Sequence, residues 1–235
     1  MRQLQIISHR GLCRRTAQSR RRGENTIVAF EAGLAALCDL GFAPSIEFDV
    51  RRAADGRLVV LHDATLRRTT GIRGRAARWT SKELAELGIP QLTDVLDQFP
   101  SAEFHIELKE EGLAREIKNI VLGRKLQEQV VVSSFDWRPL PQMAPEIRFA
   151  LTSGLPTRRL VRAAAEMGAW AIHPAHGRTT RLLVEAAHVA GLRVNAWTVN
   201  TRTAYRRMER LDVDGVFSDN PRLLTEPLVT SANRP

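Results

Sequence analysis

Strand-like apolar runs alternate with longer helix-like segments along most of the chain. The pattern predicts strands over residues 5–9, 45–51, 57–62, 103–109, 130–135, 147–152, 170–174, 193–199 and 215–218. Helices are predicted between many of them, over 25–40, 91–99, 157–167 and 180–190. Strands that alternate with helices in this way are typical of a parallel sheet covered by helices, which is the α/β class.

A hairpin interrupts the alternation after the second strand. Asp55-Gly56 is a strong turn signal between two strand-like runs, and antiparallel pairing around it places Asp49 roughly opposite His62. The strand at 57–62 is then an excursion above the sheet, and eight parallel strands remain. That number predicts a (β/α)8 TIM barrel, with a doubly wound open sheet as the alternative. Residues 64–90 are polar and glycine-containing, which predicts a small insertion within a single domain that spans residues 1–235.

Composition agrees with one large domain. The chain has 235 residues, of which 43% are hydrophobic, and this apolar content excludes global disorder. Its net charge of +9 favours anionic partners without choosing between nucleic acid, membrane and a phosphorylated substrate. Two cysteines, Cys13 and Cys38, make no disulfide framework, and Cys38 is expected to be a small buried residue of the first helix. A signal-like segment and a membrane span are not evident, so a cytoplasmic location is expected.

Polar residues gather where the predicted strands end, which is where barrel active sites lie. Glu47 and Asp49 share one face of a strand, and Glu107 and Lys109 share the inward face of the next. Three carboxylates on neighbouring strands suit a hard divalent cation, Mg²⁺ or Ca²⁺. The alternative interpretation is an interior salt-bridge cluster of these carboxylates with Lys109 and Arg10.

Two histidines, His9 and His62, are predicted beside this cluster. Imidazole titrates near neutrality, so one ring can accept a proton while the other donates one. With Arg10 and Lys109 to hold an oxyanion and a metal to neutralise developing charge, the set matches phosphodiester cleavage.

The chain resembles the glycerophosphodiester phosphodiesterases of the PLC-like phosphodiesterase barrel superfamily. The resemblance covers nearly the whole sequence. It rests on ordered motifs: His9-Arg10-Gly11, Glu24-Asn25-Thr26, Glu47-Phe48-Asp49-Val50, the run from Val60 to Gly71 that contains His62-Asp63, Ile106-Glu107-Leu108-Lys109, Trp197-Thr198-Val199-Asn200, and Asp214 to Pro221.

The resemblance implies a role for each candidate residue. It implies that His9 and His62 are the acid/base pair, that Arg10 and Lys109 bind phosphate, and that Glu47, Asp49 and Glu107 hold one divalent cation, Mg²⁺ or Ca²⁺. Trp197 is expected to line the pocket, and Asn25 to orient neighbouring groups. The implied reaction is hydrolysis of a small glycerophosphodiester to sn-glycerol 3-phosphate and an alcohol. Which histidine is the acid, and whether water or a substrate hydroxyl attacks, stays open.

Two departures from the family pattern concern the substrate. Gly23 replaces the usual proline before Glu24, after a loop that carries Arg14, Arg15, Arg20, Arg21 and Arg22. His105 stands where the family usually has asparagine or aspartate. The arginine loop from Arg14 to Arg22 is either a solvated charge run or a transient contact with an anionic membrane surface.

Three other functions each fit part of the sequence. Nucleic-acid binding would explain the charge, but aromatic residues make up 6% of the chain and provide few stacking platforms, so no nucleic acid is expected. A barrel without activity is disfavoured because each expected catalytic position is filled. A lysophospholipase D-type activity on lipid substrates, with the same metal and histidines, is the alternative within the enzymes. The oligomeric state cannot be inferred.

Overall fold

The computed structural model describes residues 4–12 and 23–224 and shows a closed barrel of 8 parallel strands with helices around it. The strands are β1 (Gln5–His9), β2 (Ser45–Arg52), β3 (Leu58–Val60), β4 (Glu103–Leu108), β5 (Val130–Ser134), β6 (Arg148–Ser153), β7 (Ala171–Pro174), β8 (Arg193–Ala196) and β9 (Gly215–Ser218). They pair in the order β1-β9-β8-β7-β6-β5-β4-β2-β3, and pairing of β1 with β2 closes the barrel. The TIM barrel prediction is therefore confirmed, and the open sheet is wrong.

The predicted helices are present with small changes at their ends. The helices are α1 (Ile27–Asp39), α2 (Arg67–Thr70), α3 (Ser81–Glu86), α4 (Leu92–Gln98), α5 (Ala114–Gly123), α6 (Arg158–Glu166), α7 (Arg181–Val189) and α8 (Arg202–Leu211). Side-chain caps define several starts: the hydroxyl of Thr26 accepts a hydrogen bond from Ala29 N, and that of Thr180 accepts one from Leu183 N. Between β5 and β6 the described chain has a short 3-10 turn in place of an α-helix.

Strand β3 lies outside the barrel, as the turn signal predicted. Among the described strands it pairs only with β2, antiparallel, with Val50 opposite Val60, and Val59 forms an isolated bridge with Gln91. Leu61 N donates to Asp49 O at 2.9 Å, so the predicted pairing of Asp49 with His62 is one residue out. Arg51 Nε donates to the carbonyl of His62 at 2.9 Å. The hairpin thereby carries the His62 side chain to the end of β2 where the barrel opens.

The main core fills the space between the barrel strands and the helices. On β2 the outward residues Ile46, Phe48 and Val50 are fully buried in it, and the Phe48 ring lies 5.7 Å from that of Phe30 on α1. Burial of such side chains contributes about 1.5–3 kcal/mol each. Because side chains alternate along a strand, the same packing directs Glu47 and Asp49 to the barrel interior.

A second, smaller cluster of buried side chains lies between the hairpin and residues 64–90. Val59 and Leu61 of the hairpin pack there with Leu66, Leu84 and Ile89. This cluster fixes α2 and α3 above the mouth of the barrel. That these residues form an insertion in one domain of 235 residues stays a prediction.

Cys38 corrects one expectation. It is exposed. The face of α1 that packs against the barrel carries Ala29, Phe30, Gly33 and Leu37, and Cys38 does not lie on that face. Cys13 and the arginine loop from Arg14 to Arg22 lie outside the described residues. Within residues 4–12 and 23–224, none of the helices has both the length and the apolar character needed to cross a bilayer.

Gly33 sets the distance between α1 and β1. A Cβ added to it would lie 2.3 Å from Ser8 Oγ, 3.1 Å from Ser8 Cβ and 3.2 Å from Leu12 N. We predict that Gly33→Ala destabilises the protein, because overpacking costs about 1–3 kcal/mol and the gain in helix propensity is about 1 kcal/mol. Urea unfolding measures the change.

Gly123→Ala at the end of α5 is the matched control, since a Cβ there meets nothing within 4 Å. It should be neutral or slightly stabilising. Equal stability of the Gly33 and Gly123 variants would contradict the close approach of α1 to β1.

Candidate active site

Three carboxylates converge inside the barrel at the carboxyl ends of β2 and β4. The register places Asp49 beside Glu107, and side-chain oxygens of Glu47, Asp49 and Glu107 all lie within 4.8 Å of one another. Glu47 is 4% exposed and Asp49 is fully buried. Unpaired buried charge is very costly, so this arrangement requires compensation by cations, by protons or by a metal.

Arg10 and Lys109 supply part of that compensation. Arg10 Nε lies 3.0 Å from Asp49 Oδ2, and Lys109 Nζ lies 2.6 Å from Glu107 Oε1 and 3.5 Å from Asp49 Oδ1. The ion pairs of the salt-bridge interpretation are therefore present. They do not satisfy every oxygen: Glu47 Oε2 and Asp49 Oδ1 are buried and accept no hydrogen bond from a described residue.

The pKa shifts show the same residual repulsion. Burial and the neighbouring Asp49 carboxylate raise the pKa of Glu47 to about 8. Burial and Asp49 also raise the pKa of Glu107. Asp49 itself is kept ionised, because the charges of Arg10 and Lys109 outweigh its burial and lower its pKa. A cluster of carboxylate oxygens in which the pKa of Glu47 is raised fits a hard divalent cation. Such a cation would take the place of the proton on Glu47.

His9 lies at the end of β1 between two carboxylates. Its Nδ1 is 2.6 Å from Asp219 Oδ1, and its Nε2 is 3.7 Å from Glu47 Oε2. Asn200 fixes Asp219 by donating from Nδ2 to Oδ2 at 2.8 Å and by accepting from Asp219 N at 2.9 Å. Burial alone would lower the pKa of His9, but the charges of Glu47 and Asp219 outweigh it and raise the pKa. A carboxylate at Nδ1 holds the hydrogen there, which leaves Nε2 for proton exchange.

His62 has the same arrangement on the opposite side. Its Nδ1 lies 2.6 Å from Oδ1 of the adjacent Asp63. Hydrogen bonds from Arg68 and His62 lower the pKa of Asp63 to about 2, so it is a carboxylate at neutral pH. Burial and the nearby Arg10 charge lower the pKa of His62, in contrast with His9. Both rings thus have an oriented tautomer, and their proton affinities are shifted in opposite directions.

Arg10 and Asn25 are held by each other's backbone. Both have φ of 58°, in the left-handed region that few residues other than glycine adopt, and Asn25 N donates to Arg10 O at 2.9 Å. Asn25 Nδ2 donates to Asp49 Oδ2 at 3.0 Å, and Arg10 NH1 donates to Glu24 Oε1 at 3.1 Å. The chain after β1 therefore presents one guanidinium and one amide to the carboxylate cluster.

These groups surround a cavity of about 140 Å³ at the mouth of the barrel. Trp197 and Phe135 form one wall, with ring centroids 5.5 Å apart, and Trp197 Nε1 donates to His173 O at 2.8 Å. Thr152 and His173 line the floor, where Thr152 Oγ1 and His173 Nε2 are buried without a hydrogen-bond partner among the described residues. The cavity thus has one aromatic side and one charged side.

The structure brings every sequence-predicted candidate to this place. The candidates that line the cavity are His9, Arg10, Glu47, His62, Glu107, Lys109 and Trp197, while Asn25 and Asp49 lie directly behind them. His105 is one layer deeper, fully buried, with Nε2 2.8 Å from Glu103 Oε1.

Sequence reasoning missed the groups that hold these candidates. They are Glu24, Asp63, Arg68, Asn200 and Asp219, each of which contacts a candidate or the partner of one. All of them stand inside the motifs that carried the resemblance, and that position was the available signal. The partner of His9 could not be inferred, because Asp219 is 210 positions away from it.

Comparison with known proteins gives a consistent result. Residues 9–223 match the model of the glycerophosphoryl diester phosphodiesterase family. A glycerophosphodiester phosphodiesterase of Caldanaerobacter subterraneus subsp. tengcongensis is 30% identical over an alignment 242 positions long, and the match covers 93% of this chain and 95% of that protein.

Solved structures agree. The crystal structure of a glycerophosphodiester phosphodiesterase from Agrobacterium tumefaciens is 29% identical with a TM-score of 0.76, and the match covers 94% of this chain and 99% of that one. An Oleispira antarctica phosphodiesterase, solved in complex with the product sn-glycerol-3-phosphate, shares the fold at 24% identity with a TM-score of 0.76 and 94% coverage of both chains.

A divalent cation should stabilise the folded protein through the carboxylate cluster. We predict that Mg²⁺ or Ca²⁺ raises the melting temperature, because a ligand at 100 times its Kd adds about 2.7 kcal/mol. Asp49→Asn should abolish the rise, since it removes a buried ligand charge. Glu111→Gln, an exposed acid beyond β4, should keep it. Equal metal-induced shifts in the Asp49 and Glu111 variants would show that the cation binds elsewhere.

Proposed function

Because the chain belongs to the glycerophosphoryl diester phosphodiesterase family and is a phosphoric diester hydrolase, we propose that it cleaves small glycerophosphodiesters into sn-glycerol 3-phosphate and an alcohol. One observation carries the proposal. Two histidines, two cationic side chains and two carboxylates line one cavity, a third carboxylate lies directly behind them, and each histidine has its own carboxylate at Nδ1. This arrangement provides both the charge and the proton exchange that cleavage of a phosphodiester needs.

Glu47, Asp49 and Glu107 would hold the divalent cation, Mg²⁺ or Ca²⁺. When bound, it supplies Lewis-acid stabilisation of charge on the phosphoryl oxygens. Arg10 and Lys109 bind the same phosphate from the protein side. Both now pair with the carboxylates, so cation and substrate together would redistribute these ion pairs. Asn25 positions Asp49 through its amide, and Trp197 lines the wall beside the alcohol.

His9 and His62 move the protons. One Nε2 accepts the proton of the attacking hydroxyl as its oxygen bonds to phosphorus. The other ring donates a proton to the alcohol oxygen as the bond between that oxygen and phosphorus breaks. Asp219 and Asp63 hold the Nδ1 hydrogen of each ring and stabilise the imidazolium state when it forms. When water attacks, the products are sn-glycerol 3-phosphate and the alcohol, and the two rings return to their starting states by proton exchange with solvent. When a hydroxyl of the substrate attacks, the first product is a cyclic phosphate. Water then opens it to sn-glycerol 3-phosphate with the two rings in exchanged roles, which restores both rings.

Release of glycerol 3-phosphate from glycerophosphocholine tests the activity. We expect release with Mg²⁺ or Ca²⁺ and its loss with a chelator. Lysophosphatidylcholine in parallel tests the lysophospholipase D alternative. If the folded, metal-supplied protein releases nothing from glycerophosphocholine and cleaves the lysolipid, the proposed substrate class is wrong.

The two histidines should be needed for turnover. We predict that His9→Ala and His62→Ala each lower kcat by about 10²–10⁴-fold, the usual contribution of general acid–base catalysis. His188→Ala is the control, because this exposed histidine of α7 contacts Asp214 far from the cavity lining. Near-normal kcat in both single variants at His9 and His62 would refute their assignment.

The arginine loop from Arg14 to Arg22 is proposed to contact anionic membrane surfaces transiently. Its support is charge alone, since each basic residue near an acidic bilayer contributes about 1 kcal/mol. We predict that replacing its five arginines by serine weakens binding to phosphatidylserine vesicles in sedimentation. Unchanged binding would eliminate the contact. A cytoplasmic location likewise stays a prediction from the sequence.

A further inference from the structure

One arginine that the proposed mechanism does not use makes a dense set of contacts beside the cavity. Arg68 donates from Nε to Asp63 Oδ2 at 2.6 Å and from NH2 to Asp63 Oδ1 at 3.0 Å. It also donates from NH1 to Glu24 Oε2 at 2.7 Å and from NH2 to Glu24 Oε1 at 2.6 Å. A single guanidinium therefore binds two carboxylates, each through both oxygens, which is the geometry that arginine provides and lysine does not.

Each of these carboxylates holds one candidate catalytic or binding residue. Asp63 Oδ1 contacts His62 Nδ1 at 2.6 Å, and Glu24 Oε1 accepts from Arg10 NH1 at 3.1 Å. Glu24 is nearly buried, with 3% of its side chain exposed. Without Arg68 this carboxylate would lose two of the hydrogen bonds that offset its burial. It would then compete with Asp49 for Arg10.

We propose that Arg68 is a positioning residue that sets, through Asp63 and Glu24, the orientation of both His62 and Arg10. The proposal rests on the function proposed above. It gives residues 64–90 a defined part in the site: they carry the guanidinium that joins the proton-transfer side of the cavity to the phosphate-binding side.

The local fold fixes Arg68 in this place. It lies on α2, two residues after Leu66, which is fully buried in the cluster between the hairpin and residues 64–90. Leu66 N donates to Gly74 O at 3.0 Å, and Gly71 ends α2 with φ of 80°. The backbone of α2 is therefore held by packing that is independent of the two carboxylates, and removal of the Arg68 side chain should leave it in place.

Variants of Arg68 and its neighbour test the proposal. Arg68→Ala should lower kcat for glycerophosphocholine by about 10²-fold, because a misplacement of about 1 Å costs that much, with a smaller change in KM. Arg68→Lys keeps the positive charge but cannot bind both carboxylates through both oxygens, so its kcat should also stay below that of the wild type. Arg67→Ala is the matched control: it lies on the same short helix, and its exposed side chain bonds to no described residue. Its kcat should equal that of the wild type.

Two further readouts separate positioning from loss of fold. Methylguanidinium should restore part of the activity of Arg68→Ala and leave Arg67→Ala unchanged. In ¹⁵N NMR, the wild-type His62 ring should show the Nδ1–H tautomer, and Arg68→Ala should shift it toward a mixture.

The outcomes are distinguishable. An inactive wild type would overturn the proposed function. The tautomer measurement would then still decide the role of Arg68. An active wild type with unchanged kcat and an unchanged His62 tautomer in Arg68→Ala would overturn the positioning role. So would a loss of activity that methylguanidinium does not restore and that accompanies a lowered melting temperature.

Discussion

The mutual repulsion of Glu47, Asp49 and Glu107 is the constraint on which the rest of the site depends. Their oxygens lie within 4.8 Å of one another, and the burial of Glu47 and Asp49 weakens the screening of their charges by water. Arg10, Lys109 and Asn25 contact this cluster, and His9 lies beside it. What remains uncompensated is visible in the pKa of Glu47, raised to about 8. The same excess of negative charge that suits a divalent cation also holds the Arg10 and Lys109 side chains beside the carboxylates.

The hairpin and residues 64–90 add a part of the site that lies outside the barrel. A barrel strand can direct one or two side chains into the cavity, but His62 approaches from above on the β2–β3 hairpin. Such an excursion needs support of its own. The small apolar cluster around Leu61 and Leu66 supports its backbone, and Arg68 supports its side chains through Asp63. Packing and electrostatics thus act on the same few residues.

The barrel interior carries polar side chains where apolar ones are usual. Interiors of such barrels are usually filled by branched apolar layers. Here the inward positions carry His105, Ser133, Thr152, His173 and Asn195, and all are buried. Several of their polar atoms have no hydrogen-bond partner among the described residues. The apolar packing lies instead between the strands and the helices, where residues such as Phe48 and Phe104 are fully buried.

The strands, the hairpin turn, the barrel and the candidate side chains of the site could all be predicted from the sequence. These depend on local periodicity and on alternation along a strand, which make Glu47 and Asp49 share a face whatever surrounds them. The tertiary structure was needed to show that Asp219 holds His9, that Arg68 bonds to Glu24 as well as to Asp63, and that Cys38 is exposed. The first two facts depend on contacts between residues 210 and 44 positions apart, and the third depends on which face of a helix meets the barrel. Closure of the barrel determines the long-range contacts and the orientation of the helix, because it requires all the strands to pack together.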